Sequence, residues 1–222
     1  MIYILIVLFA LLTTVLAQYV LNYELKNRQL CKKAFLPITS FIIIFLLNII
    51  GYFVVFCNTK INFFAFICIG LIISCLVILM LIDYLCFELP NKIVLIVGIL
   101  AFVYKCITKQ FFSLNGLLQV VLGFFAASGL LYLVGILSNG NMGGGDIKLA
   151  AACGIWLGPI YVLIGMFVGT LVASLWYIVL LILRKKDLKS MIPFGPFLII
   201  GFFIMYVWGH SLLDWYIGLI IH

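Results

Sequence analysis

Charge is what this chain has least of. Only 9% of its 222 residues are charged, where soluble domains carry roughly a quarter. Acidic residues number six: Glu24, Asp83, Glu88, Asp146, Asp187 and Asp214. Such a composition excludes a water-soluble enzyme. No two of the seven cysteines form a C-x-x-C pair, so neither a zinc site nor a disulfide framework is expected and no metal is assigned. Most of them lie in apolar runs, where a thiol behaves as a small hydrophobe. The two histidines, His210 and His222, sit at the tail and make no ligand set. There is no internal repeat and no soluble domain. The N-terminal run lacks the basic lead and the small-residue cleavage site of a signal peptide, so it reads as a retained first span.

Apolar residues dominate instead. They make up 68% of the chain, and the mean hydropathy is +1.41. About 20 such residues cross a bilayer as helix. The pattern predicts an all-α, polytopic membrane helix bundle of seven to eight spans or partial spans, one integral-membrane domain over 1–222. The expected spans are 2–21, 37–57, 63–86, 93–107 and 116–137. A short partial crossing follows at 147–157, then a turn at Gly158-Pro159 and a return over 160–183. Residues 191–196 re-enter the membrane, 197–208 make a last crossing, and 211–221 form a tail that is interfacial or a partial helix.

The net charge of +7 does not point to nucleic acid, because the basic residues cluster between apolar runs. Lys26, Arg28, Lys32, Lys33, Lys92, Lys148, Arg184, Lys185, Lys186 and Lys189 fall in alternate loops. Only Lys60, Lys105 and Lys109 fall in the others. The positive-inside bias puts the N-terminus outside and the first set in the cytoplasm, beside anionic membrane lipid.

Two acids then stand out. Asp83 follows eight apolar or small residues, Cys75 to Ile82, near the cytoplasmic end of the third span. Asp146 follows Gly143, Gly144 and Gly145 at the cytoplasmic start of the sixth. An ionisable residue at the margin of a membrane segment is by default a functional-site hypothesis; the plainer reading of Asp146 is a helix-capping turn. Two carboxylates at one depth can share a proton, one acting as base and the other as acid. The glycines are expected to take φ > 0 and admit a substrate backbone, or simply to make a tight turn. Lys148 pairs with lipid phosphate or tunes Asp146. Ala150, Ala151, Ala152 and Gly154 let this helix pack closely. Glu88 reads as solvated.

Three stretches resemble the prepilin peptidases (type IV leader peptidases), a family of GxGD aspartyl proteases. Ile82-Asp83-Tyr84-Leu85-Cys86-Phe87-Glu88-Leu89-Pro90-Asn91 is similar to the family's first-aspartate motif, with Pro90 seven residues after Asp83. Gly140 to Leu149 resembles the second, with Gly143-Gly144-Gly145-Asp146 as the GxGD itself. Ile192-Pro193-Phe194-Gly195-Pro196 resembles a late IPFGP segment, which shapes a substrate wall or simply starts a helix. The resemblance implies a cytoplasm-facing protease of the bacterial inner membrane that needs no cofactor. It implies Asp83 and Asp146 as the catalytic pair, and as substrate the apolar helix of a type IV prepilin or pseudopilin, cut after its basic leader.

The first polar loop holds one cysteine, Cys31, where bifunctional members often carry two C-x-x-C pairs. No Gly-Ser-Phe-Leu-Asn-like stretch is found in Ala17 to Tyr23. Methyltransferase activity is therefore not expected. A non-catalytic scaffold, or a degenerate homologue in a pilus or secretion assembly, is the alternative. A small transporter is another, but it would place paired charges at mid-membrane and show repeated halves.

Overall fold

The computed structural model describes residues 2–27, 37–59, 62–138, 143–184 and 193–221. Every regular element among them is an α-helix: α1 (Ile2–Asn27), α2 (Pro37–Asn58), α3 (Phe63–Cys86), α4 (Asn91–Ile107), α5 (Leu114–Leu137), α6 (Gly144–Leu157), α7 (Pro159–Ile182) and α8 (Gly195–Ile221). Six of them, all but α4 and α6, are long and apolar enough to cross a membrane. With 14 residues, α6 is about 21 Å long, short of a hydrocarbon core about 30 Å thick. The all-helical bundle with full and partial spans is therefore observed. The helices cluster into two compact units, Met1–Leu117 and Leu118–His222.

In the first unit α3 is the central helix. Its spanning window is 67% buried, against 33% for α1 and for α2, and it packs on α1, α2 and α4. Ile69, Ile72, Leu76, Leu79 and Ile82 are fully buried at helical spacing. Apolar contact alone does little to hold helices together in lipid, where the tails are as apolar as leucine; close packing and hydrogen bonds do more. Both occur here. A Cβ on Gly70 would enter the Phe9 ring. The Tyr52 hydroxyl of α2 donates to the Gly70 carbonyl at 2.9 Å. It also bonds Thr13 Oγ1 of α1 at 2.9 Å and Ser74 Oγ of α3. Asn48 spans the same three helices, donating to Thr14 Oγ1 and accepting from Ser74 Oγ, each at 3.3 Å.

In the second unit the α6–α7 break is a backbone necessity. Gly158 has φ 85° and ψ 173°, a region essentially closed to residues with a Cβ. Pro159 then opens α7, where a missing N–H costs nothing. Gly123 of α5 and Gly154 of α6 pack so that a Cβ on either would collide with the other's carbonyl. Between α7 and α8, a Cβ on Gly169 would stand 2.7 Å from the Phe197 carbonyl oxygen.

Two expectations are corrected. Residues 197–208 and 211–221 are not a crossing and a separate tail: the tail is helical, one of its two expected forms, but it continues the crossing as one helix, α8, of 27 residues. Gly209 does not break it: the Tyr161 ring of α7 packs against that glycine, and the Tyr161 hydroxyl bonds His210 Nδ1 at 2.8 Å. The cysteines are not all thiols either. Cys57, Cys68, Cys75, Cys106 and Cys153 are free, but Cys86 is disulfide-bonded.

Candidate active site

Asp83 occupies the last turn of α3 and is only 5% exposed. The helix ends three residues later because Phe87 turns into the left-handed region, φ 56° and ψ 29°, and its N–H closes on the Asp83 carbonyl at 2.8 Å. The chain then runs through exposed Glu88 and buried Leu89 to Pro90. Pro90 caps α4: its carbonyl accepts the N–H groups of Ile93 and Val94 at 3.1 and 3.2 Å. Asn91 is the first, exposed residue of α4. The seven-residue spacing from Asp83 to Pro90 thus corresponds to one helix end and a tight connector, after which α4 packs back on α3.

Asp146 lies in the first turn of α6 and is half-buried. It is not the capping residue. Gly143 holds that position, with φ −63° and ψ 120°, and the Asp146 N–H donates to its carbonyl at 3.1 Å. The expectation of φ > 0 for the glycine run is therefore not met. Gly143 is extended, Gly144 and Gly145 are already helical, and among the described glycines only Gly158 has positive φ. The run provides space instead. A Cβ on Gly143 would lie 3.0 Å from Asp146 Oδ2, and one on Gly144 would meet nothing within 4 Å. Lys148 is exposed in the following turn. Residues 139–142, the first part of this loop, lie outside the described residues.

Pro193, Phe194, Gly195 and Pro196 form the entry to α8. The Phe194 carbonyl accepts the N–H groups of Phe197 and Leu198 at 3.1 and 3.2 Å. Pro193, Gly195 and Pro196 are buried. Proline at the second helical position removes an N–H that would have no partner within the helix. The helix-start reading thus describes these four residues; Met191 and Ile192 lie outside the described residues. Since α6 packs against α8, the helix bearing Asp146 and the helix opened by this segment share a unit. Asp83, Pro90 and Asn91 belong to the first unit.

Helix polarity distinguishes the two acids. Asp83 stands at the C-terminal, negative end of the α3 dipole, and Asp146 at the N-terminal, positive end of α6. Among the described residues no group of three or more His, Cys, Asp or Glu side chains is placed to hold a metal. Sequence reasoning missed the Thr13–Thr14–Asn48–Tyr52–Ser74 cluster, although polar residues inside apolar spans were a usable signal. It also missed the bonded state of Cys86, for which spacing gave none.

The sequence model of the type IV leader peptidase family matches residues 70–182. That is just over half of the chain, and it contains both aspartates. A Legionella pneumophila prepilin leader peptidase/N-methyltransferase is 42% identical over 77 residues, 35% of this chain and 27% of that protein. The protein of that description from Bacillus subtilis (strain 168) is 31% identical over 94 residues, 41% of this chain and 38% of its own. The one from Pectobacterium carotovorum is 31% identical over 137 residues, 59% and 47%. The chain thus matches about a quarter to a half of the length of these curated relatives. No solved structure matches it.

Proposed function

The chain belongs to the type IV leader peptidase family, and on that premise we propose that it is an aspartic endopeptidase of the bacterial inner membrane. It removes the basic leader from type IV prepilins or pseudopilins, cutting at the cytoplasmic face just before the substrate's apolar helix. Asp83 and Asp146 are the catalytic pair. The observation that carries the reading is Asp83 itself: a carboxyl 5% exposed at the end of a helix that is otherwise apolar, inside the stretch matched to the family. Burying such a group is costly unless it is protonated or paired.

The proposed chemistry uses one proton between two carboxyls. Two close carboxylates do not both ionise. Mutual repulsion sets that there is one proton, and the weaker helix dipoles set where it resides. Asp83 holds it and donates to the scissile carbonyl oxygen. Asp146, as the anion, takes a proton from the attacking water. Collapse of the tetrahedral intermediate then breaks the C–N bond and releases the leader. Gly144, with open space where a side chain would project, leaves room for the substrate chain beside Asp146. Lys148 and the other loop cations lie against anionic lipid headgroups.

We assign the peptidase step and not methyl transfer, because the sequence holds no C-x-x-C pair and no Gly-Ser-Phe-Leu-Asn-like stretch. The test is incubation of the detergent-solubilised protein with a prepilin. Leader release should disappear in both Asp83→Asn and Asp146→Asn. Unchanged cleavage in either variant rejects the pair, and transfer of a labelled methyl group to the new N-terminus rejects the restriction to peptidase.

A further inference from the structure

We propose that the groove between the N-terminal parts of α1 and α3 is the seat of one phospholipid acyl chain, with Asn62 at its rim bonding the lipid's ester carbonyl. The inference does not depend on the peptidase reading above. The groove holds about 830 Å³, within the roughly 300–1,000 Å³ of small-molecule sites. It arises from the residues that space the two helices. At Gly70 the missing Cβ lets the Phe9 ring of α1 close on α3. One turn before Gly70, α3 presents Phe66 and then Phe63, and the gap they leave against α1 is the groove. Leu5, Leu8 and Leu12 make the opposite wall on one face of α1, each more than half exposed. The floor is preformed: the Phe66 ring lies 6.4 Å from Phe9 and 6.4 Å from Phe56 of α2.

The chemistry of the lining decides the occupant. Helices associate in lipid through small residues that let backbones approach, and none of the described lining residues is Gly, Ala or Ser. Leucine and phenylalanine walls suit a flexible chain instead. From Leu5 to Leu12 the groove runs about 10 Å, most of one leaflet of a core about 30 Å thick. That is the reach of a chain confined to one leaflet, not of a spanning helix. The polar lining residues, Thr59 and Asn62, flank the end of α2 and the start of α3. The Thr59 hydroxyl donates to the Val55 carbonyl at 2.6 Å. Asn62 makes no side-chain capping bond to α3, so its carboxamide N–H is the donor offered to an ester. The groove is also not on the face of Asp83. At about 100° per residue, Phe63, Phe66 and Ile67 fall about 100–160° around α3 from that acid. A chain in the groove meets protein on three sides, where a lipid against an exposed helix meets one. Many weak dispersion contacts then add up, and this lipid is held longer than its neighbours.

The test uses the full chain in vesicles of phosphatidylethanolamine and phosphatidylglycerol, with a little phosphatidylethanolamine carrying a diazirine on its acyl chain. After photolysis, peptide mass spectrometry should find residues 5–12 and 63–67 labelled roughly tenfold more than the exposed apolar residues of α5. Leu8→Trp puts a ring into the groove from an exposed position, so it should fold and should abolish that excess. Asn62→Ala should lower it about threefold, the loss of one hydrogen bond. Native mass spectrometry of detergent-extracted protein should show one phospholipid retained by wild type and absent from Leu8→Trp. Equal labelling of the groove and α5, an excess that survives Leu8→Trp, or adducts of detergent mass alone would each overturn the seat. Labelling unchanged in Asn62→Ala would overturn the ester bond. Protection of the groove in a particle of dimer mass would give it to a second copy and overturn the lipid.

Discussion

Gly143 and Asp146 close the first turn of α6 on each other: the Asp146 N–H donates to the Gly143 carbonyl at 3.1 Å, and a Cβ on Gly143 would stand 3.0 Å from Asp146 Oδ2. The glycine is thus required for the room it leaves to a carboxylate, not for an unusual backbone angle. Its φ of −63° and ψ of 120° suit any residue.

Gly143→Ala therefore separates folding from catalysis. The atom in the way is the far end of a side chain that can rotate, so stability should change by no more than about 0.5 kcal/mol. The carboxylate must give by a few tenths of an ångström, short of the misplacement near 1 Å that costs about a hundredfold in rate. Leader cleavage should fall about 3- to 10-fold with the melting temperature nearly unchanged. Gly144→Ala meets nothing within 4 Å and should fold as well. Should that variant raise KM with kcat intact, the open space is used by substrate. Equal activity for Gly143→Ala and wild type would remove Gly143 from the site.

Tyr52 gives a prediction about stability alone. Its hydroxyl joins α1, α2 and α3 through Thr13, Gly70 and Ser74. Tyr52→Phe leaves those groups short of a partner in a dry interior, at a cost of about 1–2 kcal/mol. Ser74→Ala removes a member of the same network, so the double variant should lose less than the two singles together. Chemical denaturation in mixed micelles reads both effects. Strict additivity would mean that the two hydroxyls act separately.

What was legible in the sequence follows from the physics of each feature. The ends of α2, α3, α5 and α7 lie within two residues of the expected ones, because apolar run length and polar punctuation set them. Asp83 and Asp146 stood out because an acid beside a membrane segment is rare, and both lie at helix ends as expected. The continuity of α8 was not legible, because the packing of the Tyr161 ring of α7 against Gly209 is a contact between helices that the run of residues does not carry. The sign of φ at Gly143 was hidden for a similar reason: where a helix begins decides it. The Thr13–Asn48–Tyr52–Ser74 cluster needs the register of three helices, which no single run encodes. The bonded state of Cys86 is written in no cysteine spacing of the sequence.

Orientation is a separate proposal with a native reporter. Cys57 is an exposed free thiol in the last turn of α2, beside the loop assigned to the outside. In intact cells a membrane-impermeant maleimide should label the protein, and Cys57→Ser should remove most of the label. Labelling confined to inside-out vesicles would reverse the topology, and with it the cytoplasmic site.

The proposed sharing of one proton carries an expected pH dependence of cleavage. In that proposal, with one proton on the pair, Asp83 acts as acid and Asp146 as base. As pH falls through the lower apparent pKa of the pair, the anion takes up a proton and no base remains. As pH rises through the upper one, the last proton leaves and no acid remains. The rate must fall on both sides, and the two apparent values belong to the pair and not to either residue. Measured as kcat in detergent at fixed ionic strength, the profile should be a bell. Asn at either position should abolish the activity rather than move one limb. A profile that rises to a plateau with no alkaline fall would mean that no protonated carboxyl is needed, and the division of roles between Asp83 and Asp146 would be wrong.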